Sequence, residues 1–168
     1  MAYARNAAIA LKEALADNPM INLWVYGHSA DDRENGQTEM IEYHSPSMKD
    51  RPMAMGGLHA RCENRDGNAI ITSALRVGNE SDNATQKLMI VLSDGEPSAD
   101  MYRGYTGIDH TKKAVNHVES RGWSVIQVGF GGIRKRYMDE MFTNWVHVDD
   151  MDELGDKVSK IIRKVAKV

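Results

Sequence analysis

Lys87-Leu-Met-Ile-Val-Leu-Ser-Asp-Gly-Glu-Pro-Ser98 holds five consecutive apolar residues, 88–92, between a lysine and a cluster of turn formers. An apolar run this short, closed by Ser93, Asp94, Gly95 and Pro97, reads as a strand buried on both faces, as inside a parallel sheet. Asp94 then projects at the strand's carboxyl end, the side on which open α/β sheets bind their ligands. A carboxylate there needs partners, because an unpaired charge beside a buried strand is costly.

Around that strand, helix and strand patterns alternate. Residues 2–17 are rich in strong helix formers, with Ala4, Ala7, Ala8, Leu11, Ala14 and Leu15 on one stripe and Asn18-Pro19 as the stop. Residues 21–26 (Ile-Asn-Leu-Trp-Val-Tyr) read as a strand ending at Gly27. From 28 to 66 the chain is polar and irregular, apart from a modest edge strand at 38–43; so long a connection is usually functional or mobile. A helix spans 67 or 68 to 77, ending near Gly78-Asn79. After the strand at 88–92 come a helix over about 108–121 with Gly122 as its left-handed cap, and a buried strand at 125–130. A short helix at 134–142, a strand at 145–148 and a final helix from about 150 complete the chain. Strands alternating with helices predict a three-layer α/β fold: a doubly wound, mostly parallel sheet with helices on both faces, in one domain spanning 1–168.

Composition narrows the function classes. The chain has 168 residues, is 42% hydrophobic, and carries a net charge of −3, which gives no global pull toward nucleic acid or an anionic membrane. The basic residues Arg163, Lys164 and Lys167 sit at the end of the last helix, where they complement its dipole. The single cysteine, Cys62, cannot form an internal disulfide, and no apolar run approaches membrane-spanning length, so a cytoplasmic protein is the expectation. Eleven methionines suggest an adaptable core.

Several residues together resemble a family. Ser93-Asp94-Gly95-Glu96-Pro97 at the end of a buried strand is similar to the third metal-site motif of von Willebrand factor A domains. Asn64-Arg65-Asp66-Gly67-Asn68-Ala69-Ile70, opening a helix some twenty residues earlier, resembles the cobaltochelatase-subunit branch, and Val128-Gly129-Phe130-Gly131 resembles that branch's next strand. The resemblance implies a Rossmann-like sheet and a metal-ion-dependent adhesion site, with Asp94, Asp66, Ser93 and Glu96 as the metal residues and Ser98 lining the same loop. The ion would be Mg²⁺, or Mn²⁺ or Ca²⁺, bridging to a carboxylate of a partner protein. That partner would be an AAA+ ATPase in a metal-chelatase-like assembly, with this chain as a non-catalytic subunit.

One part of the family pattern has no counterpart. The first motif, Asp-x-Ser-x-Ser at the end of a first, central strand, does not occur here, so the resemblance implies an incomplete domain and a weak metal site. Mg²⁺ holds to near-octahedral oxygens, and few would remain. A sheet lacking a central strand exposes unpaired backbone, so a homodimer or a strand-swapped oligomer is expected. Tyr102, Arg103 and Tyr105, with Met101, stand in the loop after Asp94 and are the expected partner contacts, these residue types being enriched at interfaces.

Other constellations are read more plainly. His59-Ala-Arg-Cys62 has zinc-like local spacing but no second ligand pair, and reads as an exposed loop. His110 and His117 read as surface residues and His28 as rim packing. The glycines at 129, 131 and 132 lack the third position of a dinucleotide fingerprint, where Arg134 stands. The alternative to a binding module is a metal-dependent hydrolase or phosphotransferase using Asp94, which needs a second acidic group on a neighbouring strand end.

Overall fold

The computed structural model describes residues 2–30, 37–48, 54–57, 59, 63–81 and 83–166. Helix α1 (Ala2–Leu15) is followed by strands β1 (Val25–Ala30) and β2 (Thr38–His44), a 3₁₀ turn at Ala54–Gly57 and helix α2 (Asp66–Glu80). Then come β3 (Lys87–Ser93), α3 (Tyr105–Glu119), β4 (Trp123–Phe130), α4 (Lys135–Met141), β5 (Asn144–Val148), a 3₁₀ turn at Met151–Glu153 and α5 (Leu154–Ala166). The protein is a mixed α/β structure. No helix among the described residues is long and apolar enough to cross a membrane.

The three later strands form a parallel sheet in the order β3-β4-β5, with Ile90 opposite Ile126 and Val128 opposite Val146. Successive side chains of a strand point to opposite faces, and both faces of β4 are covered. Ile126, Val128 and Phe130 pack with Ala4 and Ala7 of α1 and with Leu154, Val158 and Ile161 of α5. Val125, one residue out of phase, packs with Ile70 of α2, with Ile108, Val115 and Val118 of α3, and with Met141 of α4. Each fully buried aliphatic or aromatic side chain contributes about 1.5–3 kcal/mol, so this central strand dominates the core. Helix α3 ends at Glu119, earlier than expected, and Gly122 takes φ +84° in the turn between it and β4, a left-handed conformation that a side chain would strain.

Three local expectations are corrected. The strand expected at 21–26 begins at Val25 and runs on through Gly27 to Ala30, because its hydrogen bonds come from an antiparallel partner, β2, that matches only those residues. Helix α2 does not stop at Val77: Gly78 and Asn79 are tolerated in its last turn, and Ser81 closes it by donating its hydroxyl to the Val77 carbonyl at 2.6 Å. The run at 88–92 is a strand touching both cores, but it lies at an edge of its sheet and is only half-buried, with Leu88 39% exposed. Among the described residues, the β1–β2 hairpin and the parallel sheet share no strand.

Candidate functional site

The carboxyl end of β3 and the start of α2 are fastened together by polar contacts. Asn64 and Ser98 exchange backbone hydrogen bonds at 3.0 and 3.3 Å, and the Ser98 N–H also donates to the Asn64 side-chain oxygen at 2.6 Å. Arg65 donates to the Asp100 carbonyl at 2.7 Å, the Asp100 N–H donates to Glu63 at 2.6 Å, and Arg103 donates to the same Glu63 carboxylate at 2.7 Å. The segment ahead of α2 is thus held along the loop that follows β3.

Tyr102 is the centre of this attachment. Its hydroxyl accepts the Gly67 N–H at 3.3 Å and lies 2.6 Å from His110 Nδ1 on α3. The Arg65 guanidinium sits 5.2 Å from its ring centre. Gly67 is required for this approach, since a Cβ there would stand 2.4 Å from His110 Nδ1 and 2.8 Å from the Tyr102 hydroxyl. Burial pushes the Tyr102 hydroxyl above its ordinary pKa. Expected as a partner contact, Tyr102 is instead 5% exposed and works inside the protein, joining α2, α3 and the loop. His110, expected at the surface, is half-buried beside it.

Asp66 is a buried carboxylate, 3% exposed. It is the first residue of α2, with Arg65 in the N-cap position and no side-chain cap, so its carboxylate is not the helix's N-cap. It is buried, accepts from the Asn64 amide at 3.1 Å, and lies 3.6 Å from His28 Nε2. Burial raises its pKa, opposed by His28 and by the Asn64 hydrogen bond. His28 and Asn64 were not among the expected site residues. Their signal in the sequence is thin: a histidine in the middle of a strand, and an Asn two residues ahead of an Asp.

The remaining candidates divide. Asp94 follows β3 directly and is half-buried. The Ser93 hydroxyl donates to the Gly95 carbonyl at 2.8 Å, inside its own turn, and Glu96 accepts from Arg134 at 2.7 Å. Among the described residues, no three His, Cys, Asp or Glu side chains come close enough to hold a metal ion. In the loop after β3, Arg103 and Tyr105 are exposed, as is Met101, which adopts a left-handed backbone at φ +56°. His59 is exposed, with Nδ1 2.6 Å from the Gly57 carbonyl, whereas Cys62 lies outside the described residues.

Fold and site together define an α/β protein with a polar, carboxylate-bearing rim at the strand ends. No family model matches the chain. The chain is similar to the uncharacterized protein YojO of Bacillus subtilis (strain 168), at 28% identity over 164 residues, covering 93% of this chain. The matched region is 25% of that protein, so the chain spans about a quarter of the length of this curated relative.

Proposed function

We propose that this chain is a non-enzymatic protein-interaction module of the von Willebrand factor A type, docking through the rim formed by the end of β3 and the start of α2. The observation that carries the reading is Asp66. A carboxylate buried at the start of a helix, its pKa raised by that burial, weakens the fold; retained there and pinned by Asn64, it serves binding. The neighbouring Asp94, at the carboxyl end of the parallel strand, supplies a second acidic group on the same side of the fold. A hydrolase needs a free acid beside Asp94, and Glu96 is committed to Arg134, which favours the binding module.

The metal belongs to this proposal in a restricted form. Ser93 and Glu96 are engaged elsewhere and Asp66 is paired with Asn64 and His28, which leaves too few oxygens for a Mg²⁺ site. Binding of Mg²⁺, Mn²⁺ or Ca²⁺ by this chain alone is therefore weak. By resemblance, the partner is an AAA+ ATPase of a chelatase-like assembly. Among the described residues β3 lies at an edge of its sheet, which supports a further part of the reading: the sheet takes a strand from another polypeptide or a second copy.

Two measurements test these statements. Calorimetric titration with MgCl₂ and with MnCl₂ is expected to show at best millimolar affinity; micromolar binding abolished by Asp94→Ala would reject the incomplete site. Sedimentation is expected to show association of the isolated chain. A stable monomer whose β3 amides are all protected from hydrogen exchange would reject strand capture.

A further inference from the structure

At the start of α4 three consecutive cations are exposed: Arg134 in the N-cap position, then Lys135 and Arg136 in the first turn. They do not serve the helix, because cations at a helix's first turn oppose its dipole, and no acidic residue stands in that turn. Helix α5 shows the opposite arrangement, with Arg163 and Lys164 in its last turn, where the dipole welcomes them. Two of the three α4 cations are held in place by one ring. The guanidinium carbons of Arg134 and Arg136 lie 4.8 and 4.5 Å from the Tyr137 ring centre, and Arg136 donates to the Tyr137 hydroxyl at 2.6 Å. Arg134 also donates to Glu96, which ties this loop to the one that follows β3. Among the described residues, Lys135 and Arg136 have no carboxylate partner.

We infer that Lys135, Arg136 and the stacked Tyr137 form a docking surface for an acidic segment of a protein partner. A guanidinium stacked on an aromatic ring presents a planar fork with little freedom left to lose, matched to a carboxylate. The surroundings select the partner's chemistry. Glu96 contacts Arg134, and Asp139 and Glu140 follow in α4, so the cationic stretch is short. A nucleic acid backbone needs a continuous cationic track, which these acids interrupt. The inference rests on the reading of this chain as an interaction module, and it extends the docking rim from the end of β3 to the start of α4.

The test uses the full chain and a short fluorescein-labelled peptide of alternating Glu and Ala, followed by fluorescence anisotropy in EDTA at low ionic strength. Binding is expected, with the matched Gln–Ala peptide inactive. Lys135→Glu with Arg136→Glu should weaken it about tenfold or more, while Arg163→Glu with Lys164→Glu on α5 leaves it unchanged. Tyr137→Leu, which keeps every charge, should also weaken it, in a variant whose circular dichroism matches the parent. The inference is overturned if the α4 and α5 charge reversals act alike, if Tyr137→Leu binds at parental strength, or if a single-stranded oligonucleotide of equal charge binds more tightly than the peptide. Adding MgCl₂ to the same assay separates the metal reading: an increment that disappears with Asp94→Ala belongs to the β3 rim, and its absence leaves the EDTA result intact.

Discussion

Strands β3 and β4 both read as short apolar runs, yet they sit in different physical situations. In β4 the residues from Val125 to Phe130 are buried, most of them completely, with a strand on each side and helices on both faces. In β3 every residue keeps some exposure, because among the described residues one edge faces no strand of its sheet. The loop that follows β3 is joined to the start of α2 by polar contacts, through Glu63, Asn64, Arg65 and Tyr102. Hydrophobicity of the run makes a strand, but its neighbours decide how deeply it is buried. Strand β4 is held by apolar packing on both faces, whereas the segment ahead of α2 is held to the loop after β3 by hydrogen bonds.

The largest effect should separate the two strands. Phe130 is fully buried and stacks on Tyr3 at 6.4 Å between ring centres. Phe130→Ala is expected to cost about 3–5 kcal/mol, lowering the urea midpoint severely or preventing folding. Leu88→Ala, at the exposed end of β3, should cost about 1 kcal/mol or less. Equal losses in urea denaturation would mean that the edge of β3 is as enclosed as the centre of β4.

The next effect lies at the polar attachment. Gly67→Ala places a Cβ against His110 and the Tyr102 hydroxyl, and should cost about 1–3 kcal/mol as overpacking. Gly95→Ala, whose Cβ would meet nothing within 4 Å, is the matched control and should be nearly neutral. A Gly67 variant as stable as the Gly95 variant would show that the loop moves aside freely. It would then not be fixed by Tyr102.

How much of this was legible in the sequence follows the same division. The parallel pairing of β3 with β4, the Gly122 turn and the apolar stripe of α5 were readable because each depends on local periodicity or on one residue's backbone preference. The start of β1 was not readable, because Val25 is fixed by a partner, His44, 19 positions later in the chain. Tyr102 looked like an interface residue from its type alone. Its burial depends on a glycine 35 positions earlier that admits its hydroxyl, a contact no window of sequence contains. Asp66 and Asp94 could be nominated from their positions beside turns. Their difference could not: one is sealed in by α2 and Asn64, while the other keeps partial exposure.

A smaller effect, of opposite sign, probes the acid itself. A carboxyl whose pKa is raised on folding binds its proton more readily folded than unfolded. Its contribution to stability therefore improves as pH falls through the folded-state value and worsens above it. At neutral pH, Asp66→Asn removes the buried charge and keeps an oxygen to accept from Asn64. It should stabilise the protein by about 1 kcal/mol, or roughly 2–4 °C in melting temperature. The gain should shrink on acidification, as the wild-type carboxyl takes up its proton. A loss of stability at neutral pH would mean that the pairing with His28 and Asn64 outweighs the desolvation.

The smallest effect concerns Arg103 and Glu63, joined at 2.7 Å on the outside of the same attachment. The Arg103 side chain is 69% exposed, and ion pairs in such settings add little to stability. Arg103→Ala should leave the urea midpoint unchanged within error, in contrast with Gly67→Ala at the same attachment. What should move is the titration of Glu63. Its carboxyl is held below the ordinary range chiefly by the Arg103 hydrogen bond, with a further contribution from the Asp100 N–H. A depressed carboxyl contributes stability that is present above its unfolded value and lost as pH falls through the folded one. Without Arg103 the folded-state value should rise toward the ordinary range, and carboxyl-carbon NMR across an acid titration would read it directly. A value that stays low in the variant would assign the depression to the Asp100 N–H instead, making the backbone of the loop, rather than its surface ion pair, the element that fastens the segment ahead of α2.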